Sequence, residues 1–137
     1  MIFLDSSALL KRYVMEPESS FVSELMDDDP RWGVSAIVRT EATIALCRRV
    51  SGQDREPQMK RLSADWRFVL AVPIDAECLA LAQKIGCDHG VRTLDAVHLA
   101  AATRVPDDVR FLTFDRRQTE AALKLGIPVI RSSGMSL

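Results

Sequence analysis

Short apolar runs alternate along this chain with stretches in which apolar positions recur every three to four residues. The first run, IFL at 2–4, predicts a strand that leads into a helix reaching about Val14. A second helix is predicted over 16–29, with Pro17 in or just before its first turn. WGVSA (32–36) reads as a short strand and AIVRTEATIALCRRV (36–50) as a helix by spacing. Residues 51–58 read as a helix–helix turn, followed by a helix from 55 to 67. FVLAVPI (68–74) has the continuous apolar character of a buried strand. The next helix spans 75–86, with Gly86 as its stop, and Thr93 is placed to cap a helix running to about Arg104. RFLTF (110–114) predicts a strand, 116–125 a helix ended by Gly126, and IPVIR (127–131) a last strand.

Strands alternating with helices predict an α/β fold around a mostly parallel sheet. With 137 residues the chain is of single-domain size, and one domain over 1–137 is expected. In such sheets ligands bind beyond the carboxyl ends of the strands. Asp5 follows the first strand and Asp115 follows RFLTF, so both are expected at that edge.

Composition narrows the classes. Apolar residues at 47% and charged residues at 27% are those of a globular domain, not of a disordered or fibrous chain. No apolar stretch is long enough to cross a membrane, and the start of the chain lacks the basic segment of a secretory leader. The three cysteines, Cys47, Cys78 and Cys87, form no CxxC pair and read as reduced thiols, which fits a cytoplasmic protein. A net charge of −1 excludes a strongly basic nucleic-acid coat, so contact with a polyanion needs a local patch or a metal ion. The charge is uneven: 16–29 carries six acids and no base, whereas 39–67 carries seven bases against four acids. That contrast reads either as two solvated helix faces or as a basic guide for a polyanion.

Four acids stand out. Asp5 precedes a helix, where it can cap or take part in chemistry. Glu41 has Ile37, Val38, Ile44 and Ala45 at the positions three and four away, which puts it on an apolar helix face. A carboxylate there is costly unless it pairs or binds a cation. Asp95 lies in a first helical turn, yet its face continues with His98, Leu99 and Ala102 and so turns inward; Arg92 can pair with it. Asp115 can equally be a surface cap. His98 reads as a packed histidine and His89 as a loop residue. Four carboxylates in one pocket would repel by about 3 kcal/mol per pair at ~5 Å and an effective dielectric of ~20. Such a cluster takes up protons or holds a cation, and an all-oxygen set favours Mg²⁺ or Mn²⁺. An acidic site holding one or two such ions suits attack on a phosphodiester. Other phosphate chemistry fits less well. The chain has no GxxxxGK[ST] and no GxGxxG, and Ser7 stands where a haloacid-dehalogenase-type enzyme needs a second aspartate.

Four blocks then resemble a known family: LDSSALL at the start, the glutamate of SAIVRTEATIAL, LDAVHLA, and FLTFDRR followed by AALKLGIPVI. In order and spacing they are similar to PIN-domain ribonucleases, and most of all to the toxins of VapBC-type toxin–antitoxin pairs. The resemblance spans nearly the whole chain. It implies a PIN-like three-layer α/β/α sandwich with a sheet of about five strands. It further implies Mg²⁺- or Mn²⁺-dependent endonucleolytic cleavage of RNA to a 5′-phosphate and a 3′-hydroxyl, a homodimer, and a small cognate antitoxin as partner. Asp5 and Asp95 match the main metal ligands, Glu41 the helix glutamate and Asp115 the fourth acid. Ser6 and Thr113 match hydroxyls that position water or substrate, and Arg116, Arg48 and Arg49 are candidates to grip the RNA backbone. Two other expectations stand beside this one: a PIN nuclease of RNA processing or DNA metabolism, and a non-catalytic PIN-like binding module.

Overall fold

In the computed structural model, which describes residues 1–131, one face of the first strand already divides the protein in two. Strand β1 (Ile2–Leu4) is wholly buried. Ile2 and Leu4 pack into one apolar cluster, and Phe3, between them, packs into another on the opposite face. The sheet is parallel throughout, in the order β3-β2-β1-β4. Its other strands are β2 (Trp32–Ser35), β3 (Val69–Val72) and β4 (Arg110–Leu112).

Helices α1 (Ser6–Leu10), α2 (Ser19–Asp28), α3 (Val38–Arg49) and α4 (Gly52–Trp66) share the cluster of Ile2 and Leu4. Helices α5 (Ala76–His89), α6 (Thr93–Thr103) and α7 (Arg116–Lys124) share the cluster of Phe3. The result is the expected α/β/α sandwich. The chain steps outward from β1 to β2 and β3 with its helices on one face, then returns over the other face to place β4 on the far side of β1. The order therefore reverses at β1, and the crevice beyond the ends of β1 and β4 is where such sheets bind ligands.

The structure departs from the predicted elements at several places. Among the described residues the sheet has four strands rather than about five: in residues 127–131 only Val129 bridges to Phe111, and Pro128 has no N–H to give to a ladder. Helix α1 stops at Leu10 and continues to Val14 only as turns. The predicted turn at 51–58 is mostly helix, since α4 starts at Gly52 and contains an exposed Pro57. Its only buried residue is Leu62, and it is also fastened by Asp65, which accepts from Arg12 at 3.0 Å and from the Tyr13 hydroxyl at 2.7 Å. Gly86 does not end α5. The helix runs on to His89 and stops at Gly90, whose φ of 65° is the left-handed cap that glycine suits. Gly86 instead faces α6, where an added Cβ would sit 3.7 Å from that of Ala96. Finally, Thr93 is the first residue of α6 and not its cap; that position is Arg92.

Among the described residues no helix is long and apolar enough to cross a membrane. Cys47, Cys78 and Cys87 are all free thiols, as expected.

Candidate active site

Local folding rules explain why the acids stand where they do. Asp5 and Asp115 are extended residues that each cap the next helix; Asp5 directly follows β1, whereas β4 ends at Leu112, short of the predicted 110–114, so Asp115 lies three residues past its end. Asp5 Oδ1 accepts from the Ala8 amide at 2.8 Å, and Asp115 Oδ1 accepts from the Gln118 amide at 2.9 Å. The register of β1 and β4 pairs Leu4 with Leu112 and so brings Thr113 beside Asp5, with Asp115 two residues further on. Glu41 comes from the first turn of α3 and Asp95 from the first turn of α6. All four line a single cleft of about 500 Å³, together with Ser6, Ser7, Arg92, Thr93, Leu94 and His98.

Asp5 is the buried member, only 4% exposed. Burial pushes its carboxyl above the usual aspartate range, while the Ala8 amide and the Thr113 and Ser7 hydroxyls pull the other way. Thr113 shows the same tension in its hydrogen bonds. Its hydroxyl lies 2.7 Å from Asp5 Oδ2 and 2.9 Å from Gln118 Oε1, and it accepts from the Asp115 amide at 3.1 Å. With one hydrogen it can donate to only one of those oxygens. A proton on Asp5 lets both oxygens be satisfied; with Asp5 ionised, one of the two goes without that hydrogen. Thr113 thus touches the acids from behind the cleft rather than lining it.

Glu41 is in an unusual state. Its Oε1 is buried and has no hydrogen-bond partner. His98 Nε2 lies 3.1 Å from it, but the ring N–H is not aligned for a bond. The apolar face expected around Glu41 is only half present, since Val38 is buried but Ile44 is exposed. Asp95 and Asp115 are bridged by Arg92, whose Nε is 3.3 Å from Asp95 Oδ2 and whose second guanidinium nitrogen is 3.5 Å from Asp115 Oδ2.

The donor set suits a hard divalent ion: carboxylate oxygens, one of them buried and unpartnered, and no thiolate. Among the described residues no three carboxylate, histidine or cysteine side chains yet close around a point. The outer pair is held by a guanidinium instead.

The remaining sequence candidates divide. Ser6 lines the cleft. Arg116 lies beside it, in a second recess of about 300 Å³ shared with Val91, Arg92, Asp95, Asp115 and Arg117, and it pairs with Glu120 at 3.2 Å. Arg48 and Arg49 do not reach the site. They end α3, about 10 Å of helix away from Glu41 at ~1.5 Å per residue, and Arg49 pairs with Glu16 at 3.0 Å. The basic stretch 39–67 is largely spent within the fold. Arg39 lies over Trp66, Arg55 donates to the Cys47 carbonyl, and Arg61 donates to the Arg12 carbonyl. Sequence reasoning underrated Arg92, His98 and Gln118. The LDAVH spacing put His98 one turn after Asp95, which was a usable signal; nothing local marked Gln118.

Comparison with known proteins agrees with the geometry. The PIN domain family model matches residues 2–124. The chain is 37% identical to Ribonuclease VapC46 of Mycobacterium tuberculosis, over 96% of this chain and 98% of that protein. Among solved structures, it superposes with a TM-score of 0.71 on M. tuberculosis VapC20, described as a sarcin–ricin loop cleaving toxin. That match has 20% identity and covers 88% of this chain and 95% of that one. It superposes with a TM-score of 0.67 on a chain of a toxin–antitoxin complex from Klebsiella pneumoniae, with 16% identity and coverage of 96% and 97%.

Proposed function

From the premise that this chain belongs to the PIN domain family, we propose that it is a Mg²⁺- or Mn²⁺-dependent endoribonuclease acting as the toxin of a toxin–antitoxin pair. The observation that carries the reading is the convergence of Asp5, Glu41, Asp95 and Asp115 on one cleft at the reversal point of the sheet. The 37% identity to a ribonuclease of the VapC kind, over nearly the full length of both chains, supports the substrate class and the toxin role. The likeness to a toxin–antitoxin complex agrees with a small antitoxin as partner. A homodimer and a cytoplasmic location belong to the same reading.

The four acids would hold the ion, Asp5 and Asp95 foremost. When bound, such an ion lowers the pKa of a water and offsets charge on the phosphate. The chain's own residues do the rest. Thr113 and the Ala8 amide fix Asp5 so that its carboxylate does not rotate. Ser6, at the start of α1, is placed to orient a water or the phosphate. Arg92, released from Asp95 and Asp115, joins Arg116 and Arg117 along the adjoining recess, where guanidinium groups pair with RNA phosphates.

The test is incubation of the purified chain with total cellular RNA in Mg²⁺ or Mn²⁺, with new 5′ ends mapped by sequencing and D95N run in parallel. Discrete new ends, lost with chelator and in D95N, are expected. RNA binding without cleavage, indifferent to metal and to D95N, would overturn the reading in favour of a binding module.

A further inference from the structure

His98 is 1% exposed, on a helix buried on all sides, yet it is flanked by two polar side chains from other elements. Ser35, at the end of β2 and fully buried, lies 2.9 Å from Nδ1; Glu41, on α3, lies 3.1 Å from Nε2. The ring therefore spans β2, α6 and α3 just behind the cleft. Its tautomer follows from the neighbours. The Ser35 hydroxyl has no other hydrogen-bond partner, and a buried hydroxyl left without an acceptor is costly. If Ser35 donates to Nδ1, both groups are satisfied and the ring proton sits on Nε2, facing Glu41. The opposite tautomer would waste the serine hydrogen and set a nitrogen lone pair against a carboxylate oxygen. Glu41 Oε1 is a buried oxygen without a donor, and His98 Nε2 is the ring nitrogen that lies 3.1 Å from it.

We propose that His98 is a positioning residue: held at Nδ1 by Ser35, it anchors Glu41 Oε1 through Nε2–H and so presents the other carboxylate oxygen to the cation in the cleft. The inference rests on the reading of the cleft as a divalent-cation site. A buried histidine that only packs also needs a polar partner on each nitrogen, so what singles out His98 is which partner it has on the cleft side. Here both nitrogens meet one, and the partner on the cleft side is the acid that otherwise has none. Ligands to a metal are commonly oriented by such outer partners, whose loss costs about 10–100-fold in metal affinity.

Mn²⁺ affinity, read by electron paramagnetic resonance of free Mn²⁺ at one neutral pH without RNA, separates this role from packing. H98N keeps an amide near Ser35 but withdraws the donor from Glu41; it is expected to weaken binding about tenfold. H98Q can place its amide N–H where Nε2–H stood, and is expected to recover most of that loss. In E41Q, whose own binding is weaker, adding H98N should cost nothing more, because the histidine acts through the glutamate. S35A, which removes only the hydroxyl, should weaken binding by a smaller factor and serves if H98N does not fold; melting curves identify that case. Equal affinities for wild type, H98N and S35A, or an H98N loss undiminished in E41Q, would overturn the proposal while leaving the cation site standing. No Mn²⁺ binding by the wild-type chain would remove the cation site and this proposal with it.

Discussion

The two ends of the cleft hold their carboxylates by opposite means. At the inner end, Asp5 and Glu41 are set among hydrogen-bonding groups of the fold: the Ala8 amide, the Thr113 and Ser7 hydroxyls, and His98 with Ser35 behind it. At the outer end, Asp95 and Asp115 share one cation, Arg92, which is itself 78% exposed. No guanidinium bridges the inner pair, so an ion arriving there has no arginine to displace. The outer end is neutralised in advance by a group that an incoming ion must displace. Preorganisation and exchangeability, which conflict within one carboxylate, are thus divided between two pairs.

The largest effect expected is loss of a principal acid from either end. D5N and D95N should each abolish cleavage and weaken Mn²⁺ binding by more than the roughly 10–100-fold typical of losing an outer partner. A cleavage rate in either variant within tenfold of wild type, measured on mapped RNA targets, would break the assignment of that end. Next in size is T113V, which keeps the shape of the side chain but removes the hydroxyl between Asp5 and Gln118. It should lower Mn²⁺ affinity about 10-fold, with D115N, at the screened end, doing less to the metal-free fold.

Asp5 also makes the inner end sensitive to pH. Its carboxyl is raised by burial, so the folded state keeps a proton that the unfolded chain has already released. In that window the unfolded state binds fewer protons, and stability falls as pH rises through it. At neutral pH the metal-free protein therefore carries the cost of a buried charge. Metal-free D5N should melt a few degrees above wild type at neutral pH. The difference should fade as pH drops below ~4, where the unfolded aspartate is also protonated. A D5N that melts lower at neutral pH and equally low in acid would show that the cap, not the charge, dominates at this residue.

How much of this was legible in the sequence depended on whether the signal was local. Asp5 and Asp115 were readable as helix caps, and both are, although the strand before Asp115 stops at Leu112 rather than running up to it. Glu41 was readable from apolar neighbours one turn away, even though Ile44 proved exposed, because Val38 and Ala42 do face the core. Arg92 was readable only as a partner of Asp95, since its second contact is 23 residues on, across the cleft. Ser35 and His98 are 63 residues apart, and α6 is buried on every face, so no periodic pattern marks which side of the helix the ring faces. The same limit explains α4. It has one buried residue, Leu62, with Met59 and Trp66 only partly buried against the core, and it is also held by contacts to Asp65 from residues more than fifty positions away. The fifth strand failed for the opposite reason, a good local pattern undone by Pro128.

The last effect is the one that separates the two ends most cleanly. R92Q removes the resident cation from Asp95 and Asp115 without altering a buried group. Exposed ion pairs contribute about 0.2–1 kcal/mol each, so a metal freed from competition with the two Arg92 pairs should bind roughly 2–30-fold more tightly. The sign is opposite to that of every inner-end variant, all of which loosen the metal. Cleavage should nonetheless slow, since the guanidinium no longer joins Arg116 and Arg117 on the RNA side. Salt gives the further distinction. The Arg92 pairs are solvent-exposed and screened, so the gain in R92Q should shrink as ionic strength rises from ~0.01 to ~1 M. The loss in T113V arises from a hydrogen bond buried away from solvent ions and should not. Tightening in R92Q that persists at high salt would mean the guanidinium obstructs the ion by occupying its space; weakening would mean that Arg92 holds Asp95 and Asp115 in place for it.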